Sequence, residues 1–128
     1  DEGKGKVVAA LSEIVLAQKG IDTLDAIRWN GGNNAGHTVE VQGQKIDLHQ
    51  IPSAVFHDRA TVIMDSGMAI NTEDLITEVN YVEDVIGSTK GRVLLSPVAA
   101  LATDLERAEE KFNNELAKRS SGGTGRGR

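Results

Sequence analysis

The sequence predicts an α/β domain, with helices flanking a mixed but mostly parallel sheet. Aromatic residues make up only 3% of the 128 residues, so the core must consist of the small aliphatic side chains that are typical of helix-covered parallel sheets. Segments with strand-like and helix-like patterns also alternate along the chain. One hairpin pattern near the middle indicates that the sheet is not purely parallel. The length fits one domain, without an internal repeat.

The first two elements are a helix and a short strand. Apolar residues recur at helical spacing over residues 6–19, until Gly20 ends the pattern. These apolar residues are Val7, Val8, Leu11, Ile14 and Val15. A strand is predicted at residues 26–29. It leads into the glycine- and asparagine-rich turn of residues 31–36.

The middle of the chain predicts a hairpin and a further strand. Residues 37–41 and 45–51 alternate in polarity around Gln42-Gly43-Gln44, and Pro52 ends the second arm. Residues 61–64 form another candidate strand.

The second half predicts two helices separated by a short buried strand. Asn71 is a capping residue before two acidic residues, and this predicts a helix over residues 71–86 that Gly87 ends. Its apolar side carries Leu75, Ile76, Val79, Val82 and Ile86. Residues 93–95 form the strand, and the last helix is predicted over residues 99–118. Its apolar stripe is Leu101, Leu105, Ala108, Phe112 and Leu116.

Composition disfavours several classes of function. A net charge of −5 and a pI near 5.1 give no general attraction for nucleic acid or for an anionic membrane. The chain has no Cys, so it has neither a disulfide framework nor a thiolate zinc site. No apolar run reaches the roughly 18 residues of a membrane span. We therefore expect a cytoplasmic protein that binds neither nucleic acid nor membrane.

The first loop with potential chemistry is Asp1-Glu2-Gly3-Lys4-Gly5-Lys6, immediately before a helix. Glycines let backbone N–H groups approach phosphate oxygens, and the helix N-terminus and two lysines add positive charge. The loop does not match the G-x-x-x-x-G-K-[ST] pattern. A phosphate cradle and a solvated terminal tail are both compatible with it.

The second loop is Asn34-Ala35-Gly36-His37-Thr38, which places one imidazole at the entrance to a strand. A histidine there could act as a general acid near neutral pH, while the amide and the glycine backbone hold a polar substrate. The alternative is a tight turn with a locally hydrogen-bonded histidine. For His49 and His57, structural or surface roles are favoured.

The third loop, Gly122-Gly123-Thr124-Gly125-Arg126-Gly127-Arg128, combines one hydroxyl and two guanidinium groups with glycine freedom. This suits phosphate-ester recognition. It also suits a disordered basic tail.

Taken in order, these three loops and the segment Leu48-His49-Gln50-Ile51-Pro52-Ser53 resemble the adenylosuccinate synthetase family. The resemblance spans essentially the whole chain and covers only the N-terminal portion of that longer family. It implies a P-loop-NTPase-like fold and a ligase that forms a C–N bond, joining IMP to L-aspartate at the expense of GTP. Residues 1–128 are then expected to be part of a single nucleotide-binding domain, cut at both ends and inactive alone.

The resemblance also implies roles for individual residues. Asp1 would remove the N1 proton of IMP, so that the purine O6 attacks the γ-phosphate of GTP. His37 would act as the acid in this phosphoryl transfer. Aspartate's amine would then displace phosphate from the 6-phosphoryl intermediate.

The nucleotide-binding and metal-binding residues are implied in the same way. Mg²⁺ would be held by Asp1 and the carbonyl of Gly36. The nucleotide-binding set comprises Asp1, Glu2, Gly3, Lys4, Gly5, Lys6, Asn34, Ala35, Gly36, His37, Thr38, Thr124 and Arg126. Among these, the resemblance places Asn34 and Thr124 on IMP. It implies a homodimer for the complete enzyme.

Three departures leave alternatives open. Asp65-Ser66-Gly67 stands where the family pattern has a Gly-Asn-Gly-like turn, Gly123 replaces a threonine, and Arg128 replaces an apolar residue. A phage branch of the family acts on dGMP, but it typically lacks the acid that matches Asp1, so the retained Asp1 favours IMP. The remaining alternatives are a nucleotide-binding fragment without catalysis and a structural domain.

Overall fold

A computed structural model of the chain describes residues 4–32 and 36–121. Its centre is β4 (Ala60–Ile70), which pairs in parallel with β1 (Leu24–Gly31) on one side and with β5 (Val93–Leu95) on the other. The short strand β6 (Ala100–Leu101) also pairs in parallel with the end of β4. Together with the helices, this sheet confirms the predicted α/β fold.

An antiparallel hairpin forms a separate two-stranded sheet from β2 (His37–Val41) and β3 (Gln44–Leu48). Gln42 and Gly43 at its tip have φ values of 51° and 77°, as a two-residue hairpin turn with the primed geometry requires. The predicted second arm, residues 45–51, was too long at its end. The strand stops at Leu48, and residues 49–51 form a bend instead.

Strand β4 is longer than the predicted residues 61–64 because the chain crosses a bulge rather than stopping at Asp65-Ser66-Gly67. The register against β1 shifts between Arg28 and Asn30. A Cβ atom on Gly67 would lie 2.5 Å from the carbonyl oxygen of Trp29. Only glycine therefore allows the two backbones to approach this closely.

The first helix, α1 (Lys4–Leu16), begins earlier and ends earlier than the predicted residues 6–19. The guanidinium group of Arg59 donates a hydrogen bond of 2.8 Å to the carbonyl of Leu16 and thereby satisfies the helix end. The predicted apolar stripe does not face the core: Val7, for example, is 56% exposed. The covered side instead carries Ala9, Ser12 and Leu16.

Helix α2 (Thr72–Ile86) follows the prediction closely. The Asn71 side chain accepts a 2.9 Å hydrogen bond from the backbone N–H of Asp74, and Gly87 ends the helix with φ of 81°. Most of its predicted apolar side packs against the core, with Val82 fully buried. Ile76 is the exception, since it is 62% exposed.

The last helix, α3 (Asp104–Ser121), does not begin at residue 99 as predicted. The chain first forms β6, and the backbone N–H of Ala102 bonds to the carbonyl of Ile70 at 2.7 Å. Pairing with β4 satisfies these backbone groups, so Ala100 and Leu101 form a strand rather than the start of the helix. The predicted stripe is also exposed where its side chains are described, with Phe112 63% and Leu116 46% accessible.

The core lies between the main sheet, the hairpin and α2. Its members are buried aliphatic, methionine and alanine side chains: Val39, Ile46, Leu48, Ile51, Ala54, Val55, Ala60, Val62, Met64, Met68, Ile70 and Val82. Within residues 4–32 and 36–121, no helix is long and apolar enough to cross a membrane.

Candidate functional site

The described residues of the glycine-rich segment after β1 are Gly31, Gly32 and Gly36, and the first two lie beside the carboxyl end of the central strand. At its start, Gly31 is paired with Met68 near the end of β4. At its end, a Cβ atom on Gly36 would lie 3.1 Å from Cε1 of His49. The carboxyl ends of parallel strands are where ligands bind in open α/β sheets. Gly31 and Gly32 therefore lie at the edge of the sheet where a functional loop is expected.

His37 opens strand β2 directly after this turn, and its ring is fixed by a long-range hydrogen bond. Nε2 lies 3.1 Å from the carbonyl oxygen of Ile51. A carbonyl oxygen only accepts, so Nε2 must carry a proton. In the neutral ring Nδ1 is then the basic nitrogen, and it is the nitrogen that gains and loses a proton near neutral pH.

The surroundings of His37 favour its neutral form. Partial burial lowers the pKa of His37, the positive charge of Arg28 and of His49 lowers it further, and the negative charge of Glu78 and the Ile51 hydrogen bond oppose them. The net effect is a pKa below the usual value of 6.5. A bound anion near the ring would reverse this, because an opposite charge favours the protonated form.

The side chain of Arg28, on strand β1, also contacts the bend at residues 49–51. One guanidinium nitrogen donates to the carbonyl of His49. A Cβ atom on Gly31 would lie 3.0 Å from another nitrogen of the same group. Burial lowers the pKa of Arg28, while Glu78 raises it. Arg28 thus places a cation between Gly31 and the bend at residues 49–51.

The bend itself is held by one carboxylate from α2. Glu78 is only 7% exposed. Its Oε1 accepts from the backbone N–H of His49 at 2.9 Å, of Gln50 at 3.1 Å and of Ile51 at 2.9 Å. Its Oε2 accepts from Gln50 at 3.0 Å. Three consecutive backbone donors therefore converge on a single buried charge.

A second set of hydrogen bonds joins the bend to the start of α2. The fully buried side chain of Gln50 donates from Nε2 to the carbonyl of Asn71 at 3.0 Å, and its Oε1 accepts from the backbone N–H of Asn71 at 2.9 Å. Asn71 is also the residue that caps α2. The bend and the helix are consequently fixed to each other at two points.

Thr38, the next residue predicted to bind nucleotide, is exposed. Its hydroxyl donates a 2.5 Å hydrogen bond to Oδ1 of Asp47 across the hairpin. A nucleotide oxygen that contacted this hydroxyl would share it with the carboxylate or displace it.

The predicted phosphate loop is described only in part. Lys4, Gly5 and Lys6 form the first turn of α1, and Lys6 is exposed. Backbone N–H groups in a first helical turn have no partner inside the helix and suit an anion. Helix α1 packs against β2, the strand that His37 opens.

Seven of the predicted site residues lie outside the described residues: Asp1, Glu2, Gly3, Asn34, Ala35, Thr124 and Arg126. The predicted convergence of Asp1, His37 and Thr124 at one end of the sheet therefore stays a prediction. Of the metal-ligand pair, only Gly36 is described. Within residues 4–32 and 36–121, no group of three or more His, Asp or Glu side chains could hold a metal ion.

The other two histidines differ from His37 in their settings. His49 has an exposed side chain, and its backbone carries the contacts to Glu78 and Arg28. His57 places Nε2 3.4 Å from the carbonyl of Ala9, a contact that joins the 3₁₀ turn Ser53–Phe56 to α1.

Two residues around His37 were missed by the sequence reasoning. Glu78 lies four residues before the buried Val82 and therefore on the same side of α2. An acidic residue on the packed side of a helix is the only signal in the sequence that could have identified it. Arg28 sits in a strand between apolar neighbours, where a charged residue also stands out.

Comparison with known proteins places the chain in one family. The family model for adenylosuccinate synthetase matches residues 1–128. The adenylosuccinate synthetase of Xanthomonas oryzae pv. oryzae strain PXO99A is 37% identical over 128 residues, which cover 99% of this chain and 28% of the relative. The Dictyostelium discoideum enzyme is 38% identical over 133 residues, covering 99% and 29%. The chain thus spans less than a third of the length of these relatives.

Solved structures give a similar result. A fully ligated adenylosuccinate synthetase from Plasmodium falciparum superposes with a TM-score of 0.78 at 30% identity, covering 94% of this chain and 26% of that one. A cyanophage S-2L succinoaminodeoxyadenylate synthetase, bound to dGMP and dATP, gives a TM-score of 0.64 at 20% identity over 86% of this chain and 29% of that one. This second likeness supports the fold alone. The whole-length family match, by contrast, shows that the chain belongs to the adenylosuccinate synthetase family.

Proposed function

We propose that residues 1–128 form the N-terminal, nucleotide-binding part of an enzyme that ligates IMP and L-aspartate at the expense of GTP. The product would be adenylosuccinate, on the AMP branch of purine biosynthesis. The complete enzyme would be a cytoplasmic homodimer, and the 128 residues alone would not turn over. The family match over the whole chain supports this proposal.

In the proposed reaction, the Asp1 carboxylate takes the N1 proton of IMP, and electron density moves to O6. O6 attacks the γ-phosphorus of GTP, and the bond from that phosphorus to the bridging oxygen breaks to release GDP. The imidazolium of His37 stabilises the charge that builds up on the phosphate oxygens. Aspartate's amine then attacks C6 and displaces inorganic phosphate.

Several further residues would bind the nucleotides. The first turn of α1, with Lys4, Gly5 and Lys6, would receive GTP phosphates together with Glu2 and Gly3. Asn34 and Thr124 would contact IMP, while Ala35, Thr38 and Arg126 would line the nucleotide. A divalent cation, which we propose to be Mg²⁺, would neutralise phosphate charge. The carbonyl of Gly36 and the Asp1 carboxylate are the hard oxygen donors that this ion prefers.

The observation that carries the proposal is the setting of His37. Its Nε2 is committed to the Ile51 carbonyl, so Nδ1 is the nitrogen that exchanges a proton. Without ligand, the lowered pKa keeps the ring largely neutral. The negative charge of GTP would raise this pKa and protonate the ring when phosphate is present. Such a histidine becomes an acid only when its substrate is bound.

Replacement of His37 tests this role directly. The experiment uses a full-length chimera, in which residues 1–128 replace the matched segment of the Xanthomonas oryzae relative. His37→Asn should lower kcat by about 10²–10⁴-fold, the usual loss for a general acid, with a smaller change in KM for IMP. His57→Asn is the matched control, because His57 also bonds a backbone carbonyl but belongs to the contact with α1. Normal kcat in folded His37→Asn protein would remove His37 from the mechanism.

Asp1 is tested in the same chimera. Asp1→Asn keeps the size of the side chain and removes the base, so phosphoryl transfer should be abolished while GTP affinity changes little. Single-turnover formation of the phosphorylated purine at the normal rate would exclude Asp1 as the base.

Substrate choice is tested by comparing purines. The chimera should use IMP in preference to dGMP. Preference for dGMP would instead assign residues 1–128 to the phage-type reaction.

A further inference from the structure

We propose that Glu78 is a positioning residue for His37: its buried carboxylate holds the bend at residues 49–51 so that the Ile51 carbonyl fixes the ring tautomer of His37. The catalytic consequence of this rests on the proposed function of His37. The structural consequence, a single ring tautomer, does not depend on it.

First, the position of the Ile51 carbonyl is restrained by the groups on both sides of it in the chain. On its N-terminal side, the backbone N–H of Ile51 donates to Oε1 of Glu78 at 2.9 Å. On its C-terminal side, the carbonyl is joined to Pro52, whose ring fixes φ at −58°. The carbonyl that faces His37 is therefore restrained from both directions.

The second step is that Glu78 itself cannot shift independently of the bend. Its helix begins at the cap residue Asn71, and Gln50 bonds both the N–H and the carbonyl of Asn71. The bend is thus hydrogen-bonded to α2 at two separate points, the helix start and the Glu78 carboxylate. A change at Glu78 should loosen the bend without releasing the helix.

The third step is electrostatic. Three charged or titratable groups face His37 from separate elements: Arg28 on β1, His49 in the bend and Glu78 on α2. Glu78 is the anion of the set, and it opposes the effect of Arg28 on the ring. A neutral amide in its place removes the negative charge and puts an NH₂ donor where Oε2 now accepts from the backbone N–H of Gln50 at 3.0 Å, so two donors would face each other.

The fourth step connects the ring to proton transfer. With Nε2–H on Ile51, only Nδ1 is available for proton exchange with a substrate, and the ring plane is fixed. If the Ile51 carbonyl moves, both neutral tautomers become populated, and a share of the molecules presents the wrong nitrogen. This mixture of tautomers would lower kcat rather than weaken substrate binding.

The test is a tautomer measurement by ¹⁵N NMR on the 128-residue chain labelled at histidine, above the pKa of His37. In the unmodified chain, Nε2 of His37 should show the shift of a protonated nitrogen and Nδ1 that of an unprotonated one. In Glu78→Gln, the two shifts should move towards each other as the tautomers mix. Glu73→Gln, the same change at an exposed position of the same helix, should leave both shifts unchanged.

A second variant covers loss of folding. Glu78→Asp keeps the charge but shortens the side chain by one methylene, so it should show partial mixing in a folded chain. If Glu78→Gln does not fold, as judged by circular dichroism, the Glu78→Asp spectrum decides. A pure Nε2–H tautomer in every folded Glu78 variant would overturn the proposal.

Kinetics of the full-length chimera separate this proposal from the role of His37. Glu78→Gln should lower kcat by about 10- to 10²-fold, with a smaller change in KM for IMP. If Glu78→Gln mixes the tautomers while His37→Asn keeps normal kcat, the positioning stands and the acid role fails. If His37→Asn loses kcat but Glu78→Gln keeps both kcat and a pure tautomer, the positioning fails and the acid role stands.

Discussion

The bend at residues 49–51 and helix α3 represent opposite ways of placing side chains. The bend has no regular secondary structure, yet Gln50 and Ile51 are fully buried and its backbone donors converge on Glu78. Helix α3 is regular and amphipathic, yet the side chains of Phe112 and Leu116 are exposed. Regular backbone structure and burial of side chains are thus separate properties in this chain.

The difference shows which contacts organise the candidate site. An apolar stripe stabilises a structure only when another surface covers it. A buried carboxylate, by contrast, must find donors wherever it lies, because leaving it unpaired costs several kcal/mol. Glu78 therefore fixes its surroundings, and the candidate site is built around this charge.

The largest effect should follow from removing the carboxylate. Glu78→Leu leaves buried backbone N–H groups of the bend without acceptors, and we expect a loss of about 3–5 kcal/mol in unfolding free energy. Urea unfolding followed by circular dichroism measures this loss. A loss below about 1 kcal/mol would mean that water or other groups satisfy the bend equally well.

A smaller loss of unfolding free energy should follow from breaking the hydrogen bonds between Gln50 and Asn71. Gln50→Leu keeps the approximate volume but removes both bonds to Asn71. We expect a loss of about 1–3 kcal/mol. The same unfolding experiment should show that Glu78→Leu and Gln50→Leu are not additive, because both act on one bend. Strict additivity would argue against a single cooperative unit.

Acidification should produce a loss confined to one pH range. The folded pKa of His37 lies below that of the unfolded chain, about 6.5. The stabilisation is complete above about pH 6.5 and is lost as the pH falls through the folded pKa, because the unfolded chain then binds more protons. His37→Gln keeps a donor for Ile51 but does not titrate, so its unfolding midpoint should fall less between about pH 8 and pH 5. Equal falls would contradict the lowered pKa.

The smallest effect is expected on α3. Phe112→Ala should change the unfolding free energy of the 128-residue chain by no more than about 0.5 kcal/mol, because the ring is 63% exposed. A loss of about 3 kcal/mol or more, typical of a buried phenylalanine, would show that this ring is covered in solution.

Local patterns predicted most of the fold. Asn71 with two following acids marked the start of α2, Gly87 marked its end, and alternating polarity located the hairpin. The apolar stripes of α1 and α3 failed for one reason: periodicity identifies a helix but not which side is covered. In α1 the covered side holds Ala9 and Ser12 rather than the more apolar stripe.

The candidate site was less accessible to such reasoning. His37 could be selected from its place after a glycine-rich turn, but its partner carbonyl belongs to Ile51, fourteen residues away. Glu78 lies 27 to 29 residues beyond the donors it accepts from. Contacts at this distance depend on how α2 docks against the hairpin, which local spacing does not determine.

Titration of His37 with and without nucleotide tests its proposed role as an acid most directly. Its ring is titrated by ¹⁵N NMR in the full-length chimera, free and saturated with GTP and Mg²⁺. Nucleotide should raise the pKa of His37, because the negative phosphate charge acts against the effects of burial and Arg28. An unchanged or lower pKa for His37 in the saturated protein would show that its ring does not face the phosphates and is not the acid in phosphoryl transfer.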